Sequence, residues 1–435
     1  MTYFLTLSFM FMVFWRPQEW LFPWMFGWPV LQVVMYTALV SLAAEASQKT
    51  VKFPKTPAIM LSVGLWFASI MSHVAHGYFQ GMLDTIPETF KLSFFLILLL
   101  AVMNSVARLR GVVLIFLLAA VMMSVHAIMQ QTLGYGFGGG QPLYGITKTG
   151  EVFWQSQFYG IFSDPNDLGQ LLACSVPLIF AFPRRLGPVT FLLAAGIVWL
   201  IAEALLATHS RGTLVGVIAM GVCVLFLWLP SRWMPYVAVL GLIASLVICA
   251  TQGASLLDES ARERVVFWGD ANRAFKHNPL FGIGYGMFTE ITEKARASHN
   301  AYVSCYTELG LFGYWFWFNL LTLGMIGCYR TRVAFRRPRN ATQAYLRRLA
   351  GLSIASLAGF ATSAYFLSRA YVFPLIFLFG LLNAIPLIAQ RQLPEDHPPL
   401  LNFRKDVVIV GTASTLVSIA YVYVSILLLN RGYGG

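Results

Sequence analysis

The sequence predicts an all-α integral membrane protein with about twelve or thirteen transmembrane helices and almost no soluble domain. Composition is the first reason. Hydrophobic residues make up 58% of the chain and charged residues only 11%, whereas a soluble domain carries about 25% charged residues. Periodicity of another kind is the second. The apolar residues fall in long runs, many near the ~20 residues needed to cross a bilayer core, and the charges collect between them.

In chain order the runs are 2–15, 27–44, 57–75, 90–107, 111–130, 165–182, 188–207, 212–230, 234–250, 309–329, 347–368, 371–389 and 407–428. Helix is the reading for each, since an open strand would leave its backbone polar groups unpaired in lipid. The run 2–15 is short, which leaves the count between twelve and thirteen. It lacks a basic start and a small-x-small cleavage site, and ends at Arg16-Pro17-Gln18-Glu19-Trp20. It therefore reads as a retained span rather than a cleaved signal. Cys174, Cys223, Cys249 and Cys328 lie inside apolar runs and Cys305 just before one. With no CxxC pair, neither a disulfide framework nor a zinc site is indicated.

The formal net charge of +12 does not point to nucleic acid, because no soluble basic domain carries it. Lys and Arg are instead retained in cytoplasmic loops of membrane proteins. With a cytoplasmic N-terminus, one set of connections holds Lys49, Lys52, Lys55, Arg108, Arg110, Arg184, Arg185, Arg232, the group from Arg330 to Arg348, Arg391, Arg404 and Lys405. The opposite short connections and the C-terminus hold only Arg16, Lys91, Lys148, Arg211, Arg369 and Arg431. This bias puts the larger connections outside the cytoplasm. The chain 1–435 then forms a single transmembrane domain with two substantial outer connections, 131–164, rich in Gly and aromatics, and 251–308, the most charged stretch.

Polar residues at membrane boundaries are expensive and point to function. Four clusters share the outer face. Thr208-His209-Ser210-Arg211-Gly212 forms a very short turn; alone, it is explained by an interfacial arginine with its stem along apolar surface. Residues 258–276 have helical periodicity, with Val265, Trp268, Ala271 and Phe275 on one face and Arg262, Arg264 and Arg273 among the charges. Alone, that is an amphipathic helix lying on a membrane. Asn278-Pro279 stops it, and the Gly282 to Gly286 run makes a turn with no βαβ unit around it. Ser298-His299-Asn300-Ala301-Tyr302 then precedes Glu308, Gly310 and Gly313 at the mouth of the next span. Finally, Asp164 or Asn166 of Ser163-Asp164-Pro165-Asn166-Asp167 is placed to cap a helix, which accounts for one polar residue there but not for two aspartates. No HExxH, Walker loop or acidic metal spacing occurs in the outer loops, so no metal or other cofactor is indicated and the chemistry rests on arginine and histidine.

The ordered set Ser210-Arg211-Gly212, Arg264 before Trp268, His277-Asn278-Pro279 with Gly282 to Gly286, and His299-Asn300 before Glu308, Gly310 and Gly313 resembles the O-antigen ligase and O-antigen polymerase superfamily of bacterial membrane glycosyltransferases, most like the ligase. The likeness extends over about 160–330, and Arg16 to Trp20 looks like a subgroup associated with exported polysaccharide systems. The resemblance implies a lipid-dependent, type C-like glycosyltransferase fold in the bacterial inner membrane. It also implies transfer of a glycan from undecaprenyl diphosphate on the periplasmic face. A ligase passes it to a sugar hydroxyl of the lipid A core, a polymerase to another lipid-linked repeat unit.

The chemistry of the residues fits. A diphosphate leaving group gains negative charge in the transition state, and fixed guanidinium groups stabilise it without a metal. Arg211 and Arg264 are expected in that role, with His299 taking the proton of the acceptor hydroxyl. Arg262, Arg273, Asn300, Tyr302, Ser210, Asp164 and Asn166 are expected to bind substrate, an apolar flank to hold the polyprenyl tail among membrane lipids, and the 131–164 loop to contact sugars. A flippase would want charges deep in several spans, yet mid-span segments are nearly charge-free; a structural scaffold gives the outer arginines no purpose. Between ligase and polymerase, the basic outer loop leans towards the ligase, whose acceptor core carries phosphorylated sugars.

Overall fold

The computed structural model describes residues 1–51, 53–146, 150–182, 187–227, 233, 236, 239, 243, 259–292 and 297–430. It is an all-α membrane architecture. In order come α1 (Thr2–Trp15), α2 (Pro17–Trp20), α3 (Val30–Ser47), α4 (Pro57–Val74), α5 (Phe79–Val102), α6 (Val106–Leu133), α7 (Pro165–Ile179), α8 (Pro188–Ala207) and α9 (Arg211–Phe226). These are followed by α10 (Glu259–His277), α11 (Ala301–Ala334), α12 (Ala341–Ser363) and α13 (Phe373–Gln390). A π-helical turn, Phe403–Gly411, leads into α14 (Thr412–Asn430).

Among the described residues nine helices are long and apolar enough to span a membrane, and each corresponds to an expected run. The runs 2–15, 165–182 and 212–230 become the shorter helices α1, α7 and α9. The run 234–250 lies outside the described residues.

Helix starts are written locally in polar caps. The side chains of Thr56, Ser105, Asp164, Ser210, Asn300, Asn340 and Asn402 each accept a hydrogen bond from a backbone N–H of the first turn, satisfying donors that lipid cannot. Two expected boundaries move. Asn300 starts α11 at Ala301, so 301–308 is helix rather than the end of an outer connection. Likewise α5 begins at Phe79 instead of residue 90, because its first turns carry Asp84 and Glu88 and escape a search for unbroken apolarity.

The core is aromatic and tightly packed: Phe116 stacks on Phe377 with centroids 4.0 Å apart, and Trp317, Tyr306 and Tyr314 are fully buried. Helices α9 and α12 approach through glycine, since a Cβ on Gly216 would lie 2.7 Å from the Gly359 carbonyl; small residues permit such backbone contact within a bilayer. Apolar side chains also point outward, Val189 at 70% and Leu192 at 68% exposure, as expected of surfaces that face lipid. The connections between helices gather at two ends. At one end Arg391 donates to Asn104 O, Arg348 to Ala181 O, Arg332 to Leu227 O, and Arg330 clasps buried Asp406 through two bonds of 2.7 and 2.6 Å. The other end holds the candidate site.

Candidate active site

The site is built around a break in a helix. Gly310 sits inside α11 with φ 64° and ψ −169°, a conformation open to glycine and costly for other residues. The chain after α10 threads into that break. Ile283 and Gly284 donate to the carbonyls of Thr307 and Glu308 at 2.9 and 3.1 Å, and Leu311 and Phe312 donate to Pro279 and Leu280 at 2.8 and 3.0 Å. The broken helix thus finds partners for the backbone groups it frees. Gly282 is required as well, because a Cβ there would lie 2.3 Å from the Glu308 carbonyl carbon. His76 locks the arrangement, its Nε2 lying 2.6 Å from Gly282 O.

Helix α10 lies over this junction. Val265, Trp268, Ala271 and Phe275, the face read from the sequence, are all buried. They do not rest on lipid alone: the helix packs on α11 and α14. Asn272 donates to Tyr423 O at 3.2 Å and accepts from Tyr306 Oη at 2.6 Å.

A chain of hydrogen bonds joins the clusters that are far apart in sequence. Trp268 Nε1 donates to Ser298 O at 2.6 Å. Ser298 Oγ lies 2.5 Å from Ser304 Oγ and 3.3 Å from Ser368 Oγ. The backbone N–H of His299 donates to Ser368 Oγ at 2.5 Å. The next residue, Arg369, donates from Nε to Asp167 Oδ1 at 2.5 Å and approaches Asp164 at 3.5 Å. Asp164 caps α7 and accepts from the Asn166 side chain at 3.0 Å. Asn166 in turn accepts from Ser210 Oγ at 2.7 Å, and Ser210 caps α9, whose first residue is Arg211. His209 and His299 both have positive φ, 53° and 49°, a strained backbone in non-glycine residues that surrounding contacts must hold.

The Gly and aromatic connection supplies a cover over the same turn. It contains an antiparallel hairpin, β1 (Leu143–Ile146) and β2 (Val152–Gln155). Phe153 packs edge-on to His209 at 5.3 Å, and Ser156 N–H and Gln155 Nε2 donate to Ala207 O and Thr208 O.

Beside the relay opens a cavity of about 500 Å³. Ser298, Ser304, Ser368 and Arg369 line it together with Asp84, Glu88 and Glu308. Tyr285 and Tyr371 form another wall, rings 5.0 Å apart, and burial raises both phenols well above their ordinary pKa. Among the described residues no three His, Cys, Asp or Glu side chains are grouped as metal ligands.

The expected site residues fall into three groups. Ser210, Asp164, Asn166, His299 and Asn300 join the relay or its caps, Asn300 leaving its buried Nδ2 unpartnered among the described residues. Arg264 stands one turn before Trp268 on α10, half-buried, and Arg211 is exposed at the start of α9. Neither is among the residues lining the cavity. In a third group Tyr302 is partly buried and donates to Ala361 O at 2.9 Å, and Arg273 is exposed and ion-paired with Asp270. Arg262 belongs to the first turn of α10.

Sequence reasoning passed over Ser368, Arg369, Glu308 and the Asp84/Glu88 pair as site residues. Arg369 had a visible signal, a lone cation between two apolar spans on the outer face. Asp84 and Glu88, four apart at a span mouth, had another.

Fold and site define a class: a polytopic all-α membrane protein with the strained His209 and His299 and a polar relay at one end beside a cavity. Residues 196–318 match the family model described as O-Antigen ligase, so over this segment the chain is similar to that family. The matched stretch runs from within α8 to within α11 and contains Arg211, Arg264 and His299. The comparison with curated proteins gave no match.

Proposed function

We propose that the protein transfers a glycan from undecaprenyl diphosphate to a sugar hydroxyl of the lipid A core, at the periplasmic face of the inner membrane. The observation that supports this best is the relay. It draws the Arg211 turn, the Arg264 helix, His299 and the Ser368-Arg369 pair to one end of the bundle, within and beside a segment matched to O-antigen ligases. Arg211 and Arg264 stabilise the departing diphosphate, and His299 accepts the proton of the attacking hydroxyl. Asp84, Glu88 and Glu308, on the cavity wall, suit hydroxyl-rich sugar units, because carboxylates accept hydrogen bonds from hydroxyl groups.

Glycan profiling of a deletion strain tests the reading. Loss of all polymer from the lipid A core, with long polymer still on its carrier, is the ligase outcome. Single repeats on the core would instead assign a repeat-unit polymerase, and an unchanged profile would remove both.

A further inference from the structure

A second cavity, of about 360 Å³, lies against the first and shares Glu88, Tyr285, Tyr371 and Val372 with it. Its walls are of a different kind. Phe9 and Val13 of α1, Leu31 and Met35 of α3, Leu92 of α5 and Phe373 of α13 make it apolar. Two cations, Arg16 and Lys91, line this apolar space.

Neither cation is fully partnered within the fold. Lys91 lies inside the apolar helix α5, and an ionisable residue in such a span points to a bound partner. It has no hydrogen-bond or ion-pair partner among the described residues. Arg16 is held in the left-handed region at φ 55°, strained for a residue with a Cβ. Its Nη1 meets Glu19 at 3.1 Å, but its Nε is buried without a partner. The guanidinium lies under Gly160, where a Cβ would stand 2.0 Å from Nε. A bare glycine with φ +61° thus makes room for the head of Arg16 beside the cavity.

We infer that this cavity is a binding site for a lipid bearing a phosphate. The apolar walls take the chain, and Arg16 and Lys91 take the phosphate, guanidinium as a fork and ammonium as a point charge. A neutral lipid would leave Lys91 and the buried Nε of Arg16 without a partner, and a free phosphate would leave the apolar walls unused. The site is separate from Arg211, Arg264 and His299, and its occupancy is read by binding alone, whatever the transfer reaction proves to be.

The test is native mass spectrometry of the purified full chain titrated with undecaprenyl phosphate, phosphatidylglycerol, undecaprenol and inorganic phosphate. Tight binding of either phosphate-bearing lipid, at least tenfold above undecaprenol and inorganic phosphate, is expected; which of the two binds identifies the source. Lys91→Gln should weaken that binding about tenfold, and Lys91→Arg should restore it. Arg16→Gln should weaken it as well, with Lys91→Gln serving as the arm that leaves the Arg16 turn intact. Equal binding of undecaprenol, or full binding by Lys91→Gln, overturns the assignment.

Discussion

Arg369 donates from Nε to Asp167 at 2.5 Å, joining the connection before α13 to the first turn of α7 across 202 residues of sequence. Asp167 is only 8% exposed. Removing the cation leaves the Asp167 carboxylate without its partner in a place that water barely reaches, and stranding a buried acceptor costs about 1–3 kcal/mol. Arg369→Ala should therefore lower the unfolding temperature in detergent clearly. The double variant Arg369→Gln with Asp167→Asn should recover much of the loss, because no charge remains unpaired. A melting curve for Arg369→Ala that overlays the wild type would show that the pair holds nothing.

Gly282 and Gly310 give a sharper contrast with their neighbour Gly286. A Cβ on Gly282 would stand 2.3 Å from backbone atoms of α11, and one on Gly310 would stand 2.3 Å from Leu280 O. Backbone cannot step aside as a side chain can. Gly286 has a similar positive φ, 73°, but open space around it. Gly286→Ala should cost only the conformational strain, roughly 1–2 kcal/mol. Gly282→Ala and Gly310→Ala add steric conflict and should each exceed about 3 kcal/mol, read as loss of monodisperse protein on size-exclusion chromatography. Equal stability of all three variants would mean that the threaded loop is dispensable.

These residues also show what the sequence made legible. Long apolar runs are a one-dimensional signal, and nine of them reappear as helices long enough to span. The face of Val265, Trp268, Ala271 and Phe275 was equally readable, since a 3.6-residue period needs no knowledge of partners. What covers that face was not, because α14 lies more than a hundred residues further on. The kink at Gly310 was hidden for a similar reason: its backbone partners come from Pro279 to Gly284, and no local propensity reports such threading. Arg369 was counted for topology without being placed at the site, because its partners, Asp164 and Asp167, lie two hundred residues away. Tyr302 fits the same pattern in reverse. Its place in a motif suggested substrate, and its contacts with Ala361, Trp317 and Tyr365 could not be read from that motif.

Ser210 serves two neighbours at once. It caps α9 through Thr213 N–H and donates to Asn166 Oδ1 at 2.7 Å. Ser210→Ala should cost about 1 kcal/mol as a lost cap and also free Asn166, loosening the turn that carries Arg211. Ser210→Thr retains the hydroxyl and should keep most of the stability. If the turn matters for transfer, Ser210→Ala lowers the rate by more than its small stability loss explains, in assays run well below the melting temperature. Equal rates for Ala and Thr variants would reduce Ser210 to a cap.

His299 needs a test that separates chemistry from backbone strain. Its φ of 49° is unfavourable for alanine, so His299→Ala alone confounds lost imidazole with a displaced loop. Asparagine visits the left-handed region more readily than most residues but offers no base. Under the proposed reaction, His299→Asn should fold like the wild type and bind donor with little change. Its rate of glycan transfer should fall about 10²–10⁴-fold, the usual contribution of a positioned general base. The effect belongs in the turnover rate rather than in apparent affinity, since the proton moves only in the transition state. Melting temperature, donor titration and single-turnover rate together decide the matter. A His299→Asn protein with wild-type melting and wild-type turnover would leave the imidazole with no part in the reaction, however well placed its backbone is against Ser368.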